Sequence, residues 1–81
     1  MRKFILNQKK DLLCECKGSI YITNVPDCDD LRVICIDNGL ADYNLGVYST
    51  EQADEVIGLI VNFLNRKGTL SDGVFLMPIP R

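Results

Sequence analysis

The side chains with the most obvious chemistry in this sequence are its four cysteines, at positions 14, 16, 28 and 35. Four thiolates suffice for a closed tetrahedral zinc site, but such sites usually take cysteine pairs with two residues between them on tight turns. Cys14 and Cys16 have a single residue between them and share the apolar face of a predicted strand. We therefore predict core thiols, no metal and no resident cofactor, with Cys28, in a polar loop, as the exposed thiol.

Three aspartates between positions 27 and 30 resemble the start of a calcium-binding loop. In such a loop Leu31 would stand at the fifth position, no glycine follows at the sixth, and Asn38 would hold the twelfth, which is normally glutamate. We therefore interpret residues 24–30 as an ordinary acidic loop.

Catalysis lacks its usual side chains in this chain. There is no histidine, which is the commonest general base near neutral pH. A Ser–Lys pair or an aspartate dyad stays open, although no local pattern favours either. The glycines at positions 39, 46 and 68 are isolated, so no phosphate-binding loop is indicated. We expect a protein that is not an enzyme.

The charge of the chain bears on its partners. A net charge of −2 and a sequence pI near 4.8 argue against general nucleic-acid binding, which needs a large positive field. The densest basic and polar cluster is Arg66-Lys67-Gly68-Thr69, which would suit a small anionic ligand. Charge compensation at a helix C-terminus explains its two basic residues equally well, so both interpretations stay open.

The length and composition are typical of one globular domain, residues 1–81, with 47% hydrophobic and 25% charged residues. The apolar run Phe4-Ile5-Leu6 is too short for a signal peptide or a membrane span. We therefore expect a cytoplasmic protein with no membrane partner, whose cysteines are reduced.

Strands are predicted over most of the first half of the chain. A short one covers residues 3–7, and a longer one covers residues 12–23, in which Gly18 indicates a bulge or bend. Two further apolar runs flank Asn38-Gly39, a pair that suits a two-residue type I′ hairpin turn. That turn would pair Asp37 with Leu40 and would fix the register of the whole hairpin.

This register predicts which side chains of the hairpin face the core. Ile34 and Ile36 fall on one face, which is the apolar one. The opposite face carries Leu31, Val33 and Cys35, with Cys35 opposite Asp42, so it is also partly apolar.

One helix follows the hairpin. Ser49 is the predicted N-cap, and Gln52 three residues later completes a capping box. The apolar residues between Ala53 and Leu64 form a stripe wider than one sheet face requires. The helix is predicted to end near Lys67, with Gly68 as its C-terminal cap.

The last predicted element is a strand over residues 74–77, which should be an edge strand or a crossing arm because Pro78 and Pro80 follow it. Together the elements predict an α+β fold. An antiparallel sheet of four to five strands, in the chain order β-β-β-β-α-β, packs against one amphipathic helix.

The apolar residues exceed what a thin two-layer domain can bury. Either the C-terminal arm covers the surplus or a second copy does, and we favour a homo-oligomer. The predicted interface residues are Leu31, Val33, Cys35, Leu59, Phe63, Phe75 and Met77.

Several stretches carry a resemblance to a known group. The chain has KFI at residues 3–5, IYI at residues 20–22 and YNLGVYSTEQA at residues 43–53. It thereby resembles small proteins of Gram-positive bacteria and their phages, in which a "KFI" strand precedes a "YxLGxYxTE" strand-to-helix motif. The motif is structural and transfers no catalytic residue, but it implies a phage or prophage context.

In that context small proteins often counteract host defence. The leading hypothesis is a non-enzymatic anti-defence module that sequesters a nucleotide-type immune signal in an oligomer pocket, through stacking and cation contacts. The residues expected to hold the ligand are Arg66, Lys67, Thr69, Tyr43, Tyr48 and Arg81. The alternatives are an inhibitor of a host defence protein, with the acidic loop mimicking nucleic acid, and a structural accessory protein without a ligand.

Overall fold

The computed structural model describes residues 3–65 and 73–80, which form six strands and one helix. In chain order the elements are β1 (Lys3–Leu6), β2 (Leu13–Glu15), β3 (Ser19–Val25), β4 (Cys28–Asp37), β5 (Asp42–Ser49), α1 (Thr50–Leu64) and β6 (Gly73–Leu76). The α+β class is confirmed. The single four- to five-stranded sheet is wrong, because the strands form two three-stranded sheets, which we call the first sheet (β2-β1-β6) and the second sheet (β3-β4-β5).

The split into two sheets originates at Gly18. The long strand predicted over residues 12–23 is broken there into β2 and β3. Gly18 has a φ of +85°, and a Cβ at this position would overlap the carbonyl oxygen of Asp37. Only glycine combines that backbone conformation with such a close approach, so the chain turns out of one sheet and into the other.

The first sheet joins both ends of the described chain. β1 pairs antiparallel with β2 and parallel with β6. The final strand therefore lies at a sheet edge, as predicted, but its parallel pairing with β1 was not predicted. A parallel partner far away in sequence leaves no local turn signal.

The hairpin of β4 and β5 exists, but its turn and register differ from the prediction. Four residues, Asn38–Ala41, connect the strands, and Asp37 pairs with Asp42 instead of Leu40. The Asn38 side-chain oxygen accepts hydrogen bonds from the backbone N–H groups of Leu40 (3.0 Å) and Ala41 (3.1 Å). These bonds satisfy the extra loop amides, so the wider loop is stable.

The new register shifts the pairing by two residues near the turn, and an irregularity between Ile34 and Cys35 shifts it by one more. A two-residue shift preserves faces. Ile36, within the two-residue shift, and Ile34, beyond the irregularity, are both buried, as predicted. Cys35 faces Asn44 instead of Asp42.

The predicted acidic loop is also shorter than expected. β3 continues to Val25 and β4 begins at Cys28, so only Pro26 and Asp27 connect them. Asp27 adopts a φ of 63°, a left-handed conformation that aspartate tolerates better than most residues.

Helix α1 begins as predicted, because the Ser49 hydroxyl accepts a hydrogen bond from the backbone N–H of Gln52 at 3.2 Å. The Gln52 side chain donates to the carbonyl of Ile79 (2.9 Å) and so anchors the C-terminal segment. The helix ends at Leu64, three residues before the predicted end, with Asn65 as its C-cap. The predicted cap, Gly68, lies outside the described residues.

The core lies where the two sheets and the helix meet. Its buried members are Ile5 and Cys14 of the first sheet, Ile34, Ile36, Leu45 and Tyr48 of the second sheet, Ala53, Val56 and Ile60 of α1, and Met77. The Tyr48 hydroxyl donates to the carbonyl of Pro78 at 2.7 Å, so the residues after β6 are tied to the same core.

Candidate functional site

Edge strands are the places where a small sheet protein can pair with another chain, and the second sheet has two of them. The edge at β5 is covered by Gln8. Its backbone N–H donates to the carbonyl of Leu45 (2.7 Å), and its side-chain amide donates to the carbonyl of Val47 (2.9 Å). The N–H of Val47 donates back to the Gln8 side-chain oxygen (3.3 Å). Gln8 thus occupies the place of a neighbouring strand.

The opposite edge of the same sheet is open. Within residues 3–65 and 73–80, β3 pairs with β4 alone. Its seven residues, SIYITNV, include no charge and no proline, although exposed edges usually carry one or the other to prevent pairing. Tyr21 and Ile22 are each 36% exposed. This strand therefore has the properties of a docking edge.

An apolar groove of about 230 Å³ runs beside this open edge. Helix α1 forms one wall with Ile57, Val61 and Leu64, of which Val61 is 48% exposed. The remaining lining residues are Cys16, Gly18, Ile20 and Ile60. An apolar cavity of about 150 Å³ already accepts a benzene-sized group, so this groove has room for an aliphatic or aromatic side chain.

The Cys16 thiol contributes to the apolar character of the groove. Burial raises its pKa above the usual value, and Cys14 and Glu15 raise the pKa further while Lys3 lowers it. Because a raised pKa keeps the sulfur protonated at neutral pH, Cys16 presents a neutral thiol and not a reactive thiolate.

A small polar cluster lies on the other face of β3. The Tyr21 hydroxyl is within hydrogen-bonding reach of the Asp42 carboxylate and the Cys35 sulfur. Partial burial and the nearby carboxylate raise the pKa of Tyr21 to about 12, and burial also raises the pKa of Cys35. The cluster brings together one side chain from each strand of the second sheet. The predicted register already placed Cys35 opposite Asp42, but no local pattern indicated that Tyr21 would lie beside them.

Of the six residues predicted to hold an anionic ligand, the structure describes two, Tyr43 and Tyr48. Arg66, Lys67, Thr69 and Arg81 lie outside the described residues. Tyr48 is 1% exposed, and its hydroxyl donates to Pro78. Tyr43 is 37% exposed and lines a pocket together with residues of β2. Nucleotide sequestration stays a prediction.

The residues predicted to form an oligomer interface lie in several parts of the described structure. Leu31 and Val33 are half-buried on the outer face of the second sheet, and Cys35 is buried there. Met77 belongs to the core, and Phe63 and Phe75 form a tilted ring pair with centroids 5.6 Å apart. Leu59 is 49% exposed on α1. An interface built from these residues stays a prediction.

The described part of the chain contains neither a metal-binding cluster nor a membrane-spanning helix. Residues 3–65 and 73–80 contain no group of three or more His, Cys, Asp or Glu side chains that could hold a metal ion. Their single helix, α1, is too short to cross a membrane. The four cysteines are free thiols, and Cys28 is exposed as predicted.

The chain matches no protein-family model, and searches of curated proteins and of solved structures find no significant match. Function must therefore be argued from the geometry of the site itself.

Proposed function

We propose that this chain is a non-enzymatic protein-binding module that takes up an extended segment of a partner protein along β3. The observation that carries the proposal is the position of an uncharged, unpaired edge strand directly beside an apolar groove. The proposal keeps one of the three hypotheses drawn from the sequence, the binding of a protein partner, and assigns it to a different surface from the acidic loop.

Strand addition explains why both features are needed. An added strand gains affinity from main-chain hydrogen bonds, while its alternating side chains enter pockets and provide specificity. Ile20 and Ile22 share the inner face of β3, and Ile20 lines the groove. The inner side chains of an added strand would lie next to them, under the flank of α1 that carries Val61 and Leu64.

The chemistry of the partner segment follows from this surface. The strand and the groove are both uncharged, and a buried charge without a partner would be costly. We therefore expect an extended segment of five to seven residues with an aliphatic or aromatic side chain at its centre and no charge on the groove side. A site of this size is expected to bind with a dissociation constant in about the micromolar range.

The proposal is tested with a library of random heptapeptides selected on the purified protein. Selected peptides should share one central apolar residue. Titration calorimetry then measures their affinity for the unchanged protein and for the Val61→Lys and Leu59→Lys variants. Val61→Lys places a charge in the groove wall and should weaken binding at least about tenfold. Leu59→Lys is the matched control, because Leu59 is equally exposed on the same helix but does not line the groove.

Binding that is weakened equally by both lysine variants, or by neither, would contradict the proposed site. Failure to select any peptide from the library would contradict strand addition itself. Circular dichroism of each variant shows whether a loss of binding is a loss of folding.

A further inference from the structure

A further cleft, of about 220 Å³, lies between β2 and the turn end of the β4–β5 hairpin. Beside it, the connection from β2 to β3 passes directly against the end of β4, because Gly18 packs on the carbonyl of Asp37. The cleft therefore lies between two segments that the fold holds together, one from each sheet. It shares no lining residue with the apolar groove beside β3, so it is a separate site.

One side of the cleft is apolar and already ordered. Ile36 is 1% exposed and belongs to the core. The backbone of Leu12 is held by Asn7, whose side-chain oxygen accepts from the Leu12 N–H at 3.1 Å and whose N–H donates to the Leu12 carbonyl at 3.0 Å. Leu13 follows and is 53% exposed. Small-molecule pockets are mostly preformed and apolar, with a few placed polar groups, and this side of the cleft supplies the apolar part.

The polar side chains that line the cleft supply hydrogen-bond donors and acceptors. Asn38 uses its side-chain oxygen for the two loop amides, while its NH₂ group has no hydrogen-bond partner among residues 3–65 and 73–80. Glu15 binds Lys17 through one carboxylate oxygen, at 3.2 Å, which leaves its other oxygen as an acceptor. The Tyr43 hydroxyl can donate and accept. A ligand can therefore form hydrogen bonds of both kinds here.

The charge and the size of the cleft restrict the ligand further. The charges of Glu15 and Lys17 cancel, and the other described residues that line the cleft are uncharged, so neither an anion nor a cation is favoured. An apolar cavity of about 150 Å³ accepts benzene, and the larger cleft therefore has room for two fused rings. The ring of Tyr43 offers a surface on which an aromatic ligand can pack.

We propose that this cleft binds a neutral, planar heteroaromatic molecule of two fused rings that carries an N–H donor and a ring-nitrogen acceptor on the same edge. Its rings pack between the apolar side and Tyr43. Its acceptor nitrogen takes a hydrogen bond from the Asn38 amide, and its N–H donates to the Glu15 carboxylate. For a ligand of about nine non-hydrogen atoms, the dissociation constant falls in about the submillimolar to millimolar range.

The proposal is tested with 7-azaindole and indole, which differ only in the ring nitrogen that serves as acceptor. Each is titrated into the ¹⁵N-labelled full chain, up to about 5 mM, and amide shifts are followed by NMR. We expect 7-azaindole to shift the amides of residues 12–17 and 36–43. It should bind about three- to tenfold more tightly than indole, because only 7-azaindole accepts the hydrogen bond from Asn38.

Asn38→Asp removes the donor and keeps the oxygen that the hairpin loop requires. This variant should lose the preference for 7-azaindole over indole. Asn44→Asp is the matched control, because Asn44 is exposed on β5 and does not line the cleft, and it should keep the preference. If Asn38→Asp does not fold, Tyr43→Ala decides the matter, since it removes one wall and should weaken both ligands at least about threefold.

Val61→Lys, in the wall of the groove, should bind 7-azaindole like the unchanged protein, so this test stands whether or not peptides bind along β3. A protein whose cleft amides do not shift at any ligand concentration overturns the proposal. So does equal affinity for the two ligands, or a preference that Asn38→Asp and Asn44→Asp change alike.

Discussion

In the second sheet Gln8 covers the edge at β5, whereas the edge at β3 is open in the described residues. Substitution of Gln8 tests whether its side chain has this role. Its side-chain amide forms two hydrogen bonds with the main chain of Val47, at 2.9 and 3.3 Å. We expect Gln8→Ala to remove both bonds and to expose the β5 edge. The backbone bond from Gln8 to Leu45 does not need the side chain and should persist.

The size of the effect follows from those two bonds. Each partly buried hydrogen bond contributes about 0.5–1.5 kcal/mol net, so the free energy of unfolding should fall by about 2 kcal/mol. For a domain of this length that corresponds to a decrease in Tm of about 10 °C. Urea denaturation followed by circular dichroism measures the free energy, with an unchanged slope if the fold is retained.

Gln8→Glu separates the donor from the acceptor. An ionised carboxylate can accept from the Val47 N–H but cannot donate to the Val47 carbonyl, whereas a protonated carboxyl can do both. The folded state therefore favours the protonated form, and the stability of this variant relative to the unchanged protein should rise as the pH falls. A Gln8→Ala variant as stable as the unchanged protein would refute the role assigned to the amide.

Three further predictions concern other parts of the fold. Gly46→Ala should destabilise the protein by about 1–3 kcal/mol, because the added Cβ would approach the buried Tyr48 ring to 2.8 Å. Gly58→Ala should instead stabilise α1 by about 0.5–1 kcal/mol, because there is open space around Gly58. A thiol reagent at mildly alkaline pH should label one cysteine rapidly, and Cys28→Ser should abolish that fast phase. Folding raises the pKa of Tyr21 to about 12, so the free energy of unfolding should decline as the pH rises from the ordinary tyrosine pKa towards that value. Tyr21→Phe should flatten this decline.

Each of these has an outcome that contradicts the structure. Equal stability changes for the two alanine variants would mean that the close packing at Gly46 is absent. Rapid labelling of three or four thiols would place the buried cysteines at the surface. A pH profile unaffected by Tyr21→Phe would remove the polar cluster on the outer face of β3.

Local signals in the sequence were sufficient for most of the elements and for the N-cap of α1. The Ser49 cap, the buried positions Ile34 and Ile36 and the edge position of β6 are confirmed, because each depends on neighbouring residues. The register of the hairpin is wrong because Asn38 uses its side chain to stabilise a wider loop, which the type I′ pattern does not reveal.

The parts of the fold that depend on distant residues could not be predicted. Gly18 indicated a bend, but only the approach of Asp37 turns the bend into a break between sheets. The parallel pairing of β6 with β1 and the covering of β5 by Gln8 likewise join segments far apart in sequence.

The candidate site illustrates the same limit. Ile20, within the long strand predicted over residues 12–23, lines the groove. Nothing local indicates that β3 is an edge, since that follows from which strand lies beside it. The phage context, the anti-defence role and the nucleotide ligand stay predictions from resemblance.

The most direct test of strand addition is hydrogen exchange at the amides of β3 with and without a selected heptapeptide. A strand added at this edge forms hydrogen bonds with the outward-pointing N–H groups, which belong to every second residue. We predict that saturating peptide slows exchange at alternate amides between Ser19 and Val25 and leaves the amides of β5 unchanged. A bound peptide that slows exchange elsewhere, but not along β3, would contradict the proposed function.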